Sequence, residues 1–259
     1  MLNYIKSEFY RVFHGKDIYI FTAVVSGLTL AINVILYLFN SRTANFPYGS
    51  IKYSLNILSS SMQILFLGSL LVTTSLFTDE YKNGTLKNTI AAGISRSQFF
   101  AGKCIVSTVM SFLSMVVILI AYIGSAYLLL DNTGGITVLD RLAGVAVNIP
   151  MACAAVILTV ALSCVFKKEG TAVVVAWMVI MWGIPKLSFI FGLKVDWLGK
   201  AAEWMPWNYL TYETSVDMTQ YKCLWDTPEG LAKCLIAGTV GIIVFYLAGV
   251  IYFRKKEIA

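Results

Sequence analysis

From Cys104 to Leu130 the chain reads CIVSTVMSFLSMVVILIAYIGSAYLLL, 27 residues without one Asp, Glu, His, Lys or Arg. A helix needs roughly 20 mostly apolar residues to cross a bilayer. Spanning backbone must also satisfy its own hydrogen bonds, which a helix does within one segment. The stretch is therefore read as a transmembrane helix. Five more runs have the same character: Ile18–Phe39, Leu55–Phe77, Leu142–Phe166, Thr171–Gly192 and Gly230–Phe253. Asn148 and Pro150 predict a kink in the fourth span. Gly183 and Pro185 predict a bend or an early stop in the fifth.

Composition agrees with this reading. Hydrophobic residues make up 58% of the 259 and charged residues 13%, against roughly 25% charged in a soluble chain. Mean hydropathy is +0.74. The net charge is +6, but the cations sit in short clusters between apolar runs. That pattern fits topology signals and anionic lipid rather than nucleic acid. The cysteines show no metal spacing. Cys104, Cys153 and Cys164 lie in apolar runs, and Cys223 and Cys234 could pair only on an oxidising side. No cleavable signal peptide is expected at the N-terminus.

Lys and Arg set the orientation. The N-terminus, residues 78–103, residues 167–170 and the C-terminus carry twelve of them. The alternate loops carry six, with Lys186 and Lys233 near span ends on that side. The excess places both termini in the cytoplasm. Leu2, Ile5, Phe9, Val12 and Phe13 fall within an arc of about 100° on a helical wheel. Residues 1–17 are therefore expected to form an amphipathic helix on the inner leaflet, with Asn3, Ser7 and Arg11 facing away from it.

Two polar segments stand out. Residues 78–103 read TDEYKNGTLKNTIAAGISRSQFFAGK. Asn83-Gly84 signals a turn, Thr85 can cap a short helix to about Ala92, and Gly93 can end it. Ser95 and Gln98 have capping-box spacing for the third span. A plain connection needs only a few residues, so a structured loop of this length implies a docking partner. The second segment is 193–229, with Trp197, Trp204, Trp207 and Trp225. Asp196 is expected to cap a helix to about Trp204, and Pro206 to end it. This aromatic density predicts an interfacial or re-entrant segment on the outer side.

Catalytic groups are sparse. Mid-span polar side chains are limited to Asn33, Gln63 and Asn148, whose expected role is helix–helix hydrogen bonding. The lone His14 lies in the surface helix. No HExxH or GxSxG occurs. Gly15-Lys16 and Gly102-Lys103 lack the flanking Gly and Ser/Thr of a P-loop. Active transport would then draw its energy from a partner.

Together these features resemble the permease subunit of a type V ABC exporter, the ABC type-2 permease family, in its compact bacterial six-span form. The motif match is Glu80, Gly84-Thr85-Leu86, Gly93-Ile94-Ser95-Arg96 and Lys103. The resemblance implies an all-α integral membrane protein with one transmembrane permease domain over 1–259. It implies a cytoplasmic coupling helix at Thr85–Ala92 after span 2 and a re-entrant segment before span 6. The ATPase-coupling residues would be Asp79, Glu80, Gly84, Thr85, Leu86, Lys87, Gly93 and Arg96, with Lys167, Lys168 and Glu169 as a second contact. Trp197, Trp204, Pro206 and Trp207 would mark the outer interfacial segment. The chain itself would bind no cofactor and perform no catalysis. ATP and Mg²⁺ would belong to two copies of a cytoplasmic ATP-binding subunit. A second permease chain, identical or different, would complete the assembly, within membrane lipid and without nucleic acid. The implied role is outward export of an amphipathic peptide antibiotic, drug or lipid by alternating access across a bacterial plasma membrane. The competing reading is a non-transporting membrane scaffold or sensor that docks a cytoplasmic protein.

Overall fold

The computed structural model describes residues 1–43, 46–60, 62–83, 89, 93–132, 138–166, 170–205, 208, 212–214 and 221–255. The helices run in chain order: α1 (Leu2–His14), α2 (Asp17–Arg42), α3 (Ile51–Ser60), α4 (Met62–Asn83), α5 (Arg96–Leu129), α6 (Val138–Phe166), α7 (Gly170–Met178), α8 (Ile184–Gly192), α9 (Asp196–Ala202) and α10 (Pro228–Lys255). A π-helical turn, Val179–Gly183, joins α7 to α8. Two three-residue strands, β1 (Tyr212–Thr214) and β2 (Tyr221–Cys223), pair antiparallel. This small hairpin sits within an otherwise all-helical architecture. It falls in the aromatic segment before α10, where no run was long enough to register as a strand.

Five described segments are long and apolar enough to cross a membrane: Asp17–Arg42, Arg96–Leu129, Arg141–Phe166, Gly170–Gly192 and Pro228–Lys255. The remaining expected span, Leu55–Phe77, falls on α3 and α4, which flank residue 61, outside the described residues. Hydrogen bonds show where that pair runs. Ser54 Oγ donates to Asn33 Oδ1 at 2.9 Å, near the end of the bundle where Ile51 N donates to Asp131 O at 3.1 Å. At the opposite end, Arg11 Nη2 donates to Leu76 O at 3.4 Å. α3 and α4 together therefore travel from one end of the bundle to the other. The end holding α1, Leu76 and the start of α5 is called the loop end below.

The two prolines expected to bend spans sit in different settings. Pro150 sits inside α6 without ending it. Pro185 lies in the first turn of α8, so its missing N–H and its ring fall against the π turn. There Ile184 N donates to Val179 O, five residues back, which shifts the carbonyls away from the ring. Asn208, buried, then donates to Pro185 O at 2.6 Å and to Ala202 O at 3.1 Å. The bend expected at Gly183 and Pro185 is thus a π turn, and α8 continues to Gly192.

The core is built on small residues. α10 approaches α6 through glycine: an added Cβ at Gly238 would lie 2.6 Å from Pro150 Cβ and 2.7 Å from the Met151 amide nitrogen. At Gly249 it would lie 2.4 Å from the Phe100 ring. Small interfacial residues let helix backbones come close where lipid gives no hydrophobic drive. Trp177, Phe66, Met151 and Met181 fill the central cluster between α4, α6 and α7.

The mid-span amides differ in role. Asn33 is fully buried and joins three helices. Its Nδ2 donates to Tyr122 O at 2.9 Å and Ser125 Oγ at 2.7 Å, and its Oδ1 accepts from Ser54. Asn148 does not bridge helices. Among the described residues its Nδ2 donates to Gly144 O of its own helix at 2.8 Å. The Gln63 side chain lies outside the described residues.

Candidate functional site

The two long helices that flank residues 84–92 are held together at the loop end. α5 begins with the capping box expected from sequence. Gln98 N donates to Ser95 Oγ at 3.3 Å, and Ser95 N donates to Gln98 Oε1 at 3.2 Å. Gly93 takes φ 89°, a left-handed conformation that glycine adopts without a Cβ penalty. α5 is 34 residues long, about 51 Å at 1.5 Å per residue. That exceeds the roughly 30 Å hydrocarbon layer, so the turns around Arg96–Lys103 can project beyond it.

α1 packs on this projecting end. Gly102 provides the contact: a Cβ there would meet the Tyr4 ring at 2.7 Å. Tyr4, Phe99 and Phe253 stack in one cluster. Beside it Lys103 Nζ pairs with Glu8 Oε2 at 2.6 Å, with Lys103 only 3% exposed. Glu8 also accepts from Arg11 Nη2 at 3.0 Å. Arg11 in turn reaches the Leu76 carbonyl of α4. Burial pushes the Glu8 carboxyl up, but Lys103 and Arg11 outweigh it and hold it below the ordinary carboxylate range. α1 is therefore a strut tying the loop end of α4 to that of α5.

α10 adds a second tie. Arg96 Nη1 donates to Arg254 O at 2.9 Å, and Arg254 Nε donates to Ser97 Oγ at 2.8 Å. α1 and the C-terminal end of α10 thus meet at the same end of the bundle.

α1 is rotated relative to its apolar stripe. The residues it buries are Tyr4, Glu8 and Val12, centred about 90° around the helix from the stripe. Leu2 stays 73% exposed and Phe13 45%. Arg11, expected to face away, lies next to the docking face and uses it. Sequence reading missed Glu8, which is 95 residues from Lys103. The available signal was a carboxylate one turn before an arginine, on the flank of an apolar stripe.

The other expected coupling residues lie at or beyond this root. Asp79 and Glu80 belong to the last turns of α4, and their side chains lie outside the described residues. So do Gly84, Thr85, Leu86 and Lys87, along with Lys167, Lys168 and Glu169. Gly93 and Arg96 are described, and they stand together at the start of α5.

At the far end, α9 starts at Asp196, but its N-cap is Val195, with no side-chain cap bond. Asp196 is instead the first helical residue, where its charge favours the helix dipole. The helix ends at Ala202, short of Trp204. α9 packs on α8 through Gly192 and Gly199, whose backbones would collide with any added Cβ. Trp197 is 71% exposed, while Trp204 lies under Lys233 Nζ, 5.4 Å from its ring centroid. Trp225 fills the space over Gly144. Pro206 and Trp207 lie outside the described residues. Cys223 and Cys234 are both free thiols. Buried Arg141 donates to Cys223 Sγ at 3.7 Å. Burial and then Asp226 push that thiol up to about 12, against the pull of Arg141 and Ser59.

The profile of the ABC-2 family transporter proteins matches residues 4–183, from α1 through the π turn. The chain belongs to the ABC-2 transporter family. It is a multi-pass membrane protein and a permease component of an ABC transporter. Components of this family are in general non-catalytic parts of membrane transport. No curated protein matches the chain at a significant level.

Proposed function

We propose that this ABC-2 permease is the membrane half of an ATP-driven exporter. Residues 85–92 serve as its coupling helix to a separate ATP-binding subunit. The observation that carries the reading is the stiff root of that loop. Glu8, Arg11, Lys103, Arg96 and Arg254 bind the ends of α1, α4, α5 and α10 into one unit. A push on a short helix between α4 and α5 would then move two spans together instead of bending a loose connection.

In this reading the chain has six spans, with α3 and α4 completing the second. Both termini are cytoplasmic, and the membrane is a bacterial plasma membrane. The exposed Leu2–Phe13 flank of α1 rests on the inner leaflet, and the 193–229 segment lies at the outer interface. Two permease chains and two ATP-binding subunits make the transporter, with ATP and Mg²⁺ held by the latter. An amphipathic peptide, drug or lipid passes between the permeases as the spans tilt.

Two substitutions test the loop. Leu86→Asp places a charge on the short helix and should abolish co-purification of the ATP-binding subunit. Glu80→Ala should leave the complex assembled but remove the stimulation of ATP hydrolysis by the reconstituted permease. A lost carboxylate contact with backbone N–H or arginine is worth about 1.5–3 kcal/mol, enough to loosen a lever without unfolding the spans. Full assembly and stimulated turnover in both variants would overturn the proposal.

A further inference from the structure

The fifth expected span is packed in its first half and loose in its second. Val173, Trp177 and Met181, up to the π turn, lie in the central apolar cluster. Beyond the turn, no core cluster among the described residues takes in a residue of α8 or α9. Ile184, Leu187, Phe189, Ile190 and Phe191 of α8 are exposed. α8 and α9 are packed on each other instead. A Cβ at Gly192 would lie 2.5 Å from Gly199 Cα, and one at Gly199 would lie 2.9 Å from Gly192 O. The two backbones therefore touch. Asn208 fastens the pair a second time, donating to Pro185 O of α8 at 2.6 Å and to Ala202 O of α9 at 3.1 Å. α8 and α9 thus form one stiff unit set outside the core.

Two features connect this unit to the bundle. The first is the π turn, Val179–Gly183, where the helical hydrogen-bond ladder is already shifted and Pro185 follows without an N–H to restore it. Helices bend at such places. The second is on α10. Lys233 Nζ pairs with Glu203 Oε2 at 3.4 Å and stands 5.4 Å from the centroid of the Trp204 ring. Glu203 and Trp204 directly follow α9. The Glu203 side chain is 63% exposed, and an ion pair so open to its surroundings is weak, so this tie can be released. Motion of the unit meets little resistance from its exposed side. In a membrane the apolar face of α8 meets lipid before and after a swing, and no apolar surface has to be uncovered to water.

The geometry points to a hinged flap at the far end of the bundle: α8 and α9 pivot as one body about the π turn, and Lys233 is the latch that holds them to α10. This goes beyond the export reading and rests only on the chain spanning a membrane. α8 has 9 residues, about 13 Å of helix. A change of bend of about 20° at the turn carries its far end by about 5 Å.

The test uses the purified full-length permease in phosphatidylethanolamine/phosphatidylglycerol nanodiscs. Spin labels are attached to p-acetylphenylalanine, which leaves the native thiols alone, and distances are read by pulsed electron–electron double resonance. One label stays at exposed Leu128 on α5. The second is placed in turn at Val175 on α7, Phe191 on α8 and Lys200 on α9, all exposed. With Lys233 present, each pair is expected to give one dominant distance. In Lys233→Gln, the Phe191 and Lys200 pairs should both gain a population shifted by about 5 Å, while the Val175 pair stays as it was. Lys233→Arg, which keeps the charge, should restore the original distances. If Lys233→Gln does not fold, Glu203→Gln removes the same tie from its exposed side. Unchanged Phe191 and Lys200 distances after loss of the tie overturn the inference. So does an equal shift at Val175, which would mean that the whole span tilts, or a shift at Lys200 alone, which would mean that α9 peels from α8. None of these readouts involves an ATP-binding subunit, so their failure and that of the coupling proposal are told apart.

Discussion

Lys103 lies in a nearly closed environment with Glu8 2.6 Å away and Arg11 bracing the carboxylate from the other side. Removing one member of a buried pair strands the other, at a cost of about 3–5 kcal/mol. Glu8→Gln and Lys103→Met should each lower the thermal stability of the purified permease. The double variant should lose less than the sum of the two, as a double-mutant cycle would read. Additive losses would mean that the pair does not interact. Glu8 also gives a pH signature. A carboxyl held low in the folded chain binds its proton more weakly there than in the unfolded chain. Its contribution is complete above the unfolded value of about pH 4.3 and is lost as the pH falls through the lower folded value. The wild type should therefore lose stability against Glu8→Gln only below about pH 4.3, as followed by thermal melts between pH 3 and 7. Sequence placed Lys103 among the loop cations and gave Glu8 no role, because the pair is long-range and no local pattern encodes it. Ser95 and Gln98 were legible, because a capping box is three residues wide and is set by local hydrogen bonding alone.

At the scale of elements, hydropathy located five spans because a bilayer selects on length and composition, which are local properties. Gly183 and Pro185 marked a bend or stop in the fifth expected span, but not that it takes the form of a π turn at Val179–Gly183, which depends on how the segment meets its neighbours. The role of glycine on α10 was equally hidden: Gly27 and Gly238 look alike in sequence, yet one faces open space and the other Pro150. That difference predicts opposite tolerance. Gly238→Val would force α10 away from α6, and overpacking of this kind costs about 1–3 kcal/mol or more. A lower yield of monodisperse protein and a lower melting temperature are expected for Gly238→Val. Gly27→Val should behave like the wild type by size-exclusion chromatography and thermal melt. Equal behaviour of the two would mean that α6 and α10 are not in close contact.

For the whole molecule, the hydrogen bonds bring α1, the end of α10 and the root of loop 84–92 to one end, and Asp131 and the α3 start to the other. This arrangement puts α1 and the end of α10 at the same end of the bundle, the end that faces the cytoplasm in the proposed reading. The native thiols make poor reporters of sidedness. Cys104, Cys164, Cys223 and Cys234 are buried and Cys153 is partly so. Burial and the neighbouring carboxylate keep Cys223 protonated and unreactive at neutral pH. Introduced thiols at exposed positions read the topology instead. Ser7→Cys lies on the outward side of α1, and Lys200→Cys lies on the exposed side of α9. A membrane-impermeant maleimide should label Lys200→Cys in intact cells, and Ser7→Cys only in inverted vesicles. Labelling both from the same side would mean an even number of crossings between Ser7 and Lys200 in place of the proposed five, against the placement of α1 and the α10 terminus at one end and α9 at the other. Labelling Ser7→Cys from outside and Lys200→Cys only from inside would keep the fold but reverse it in the membrane. Loop 84–92 would then face away from the cytosol, and no ATP-binding subunit could reach it.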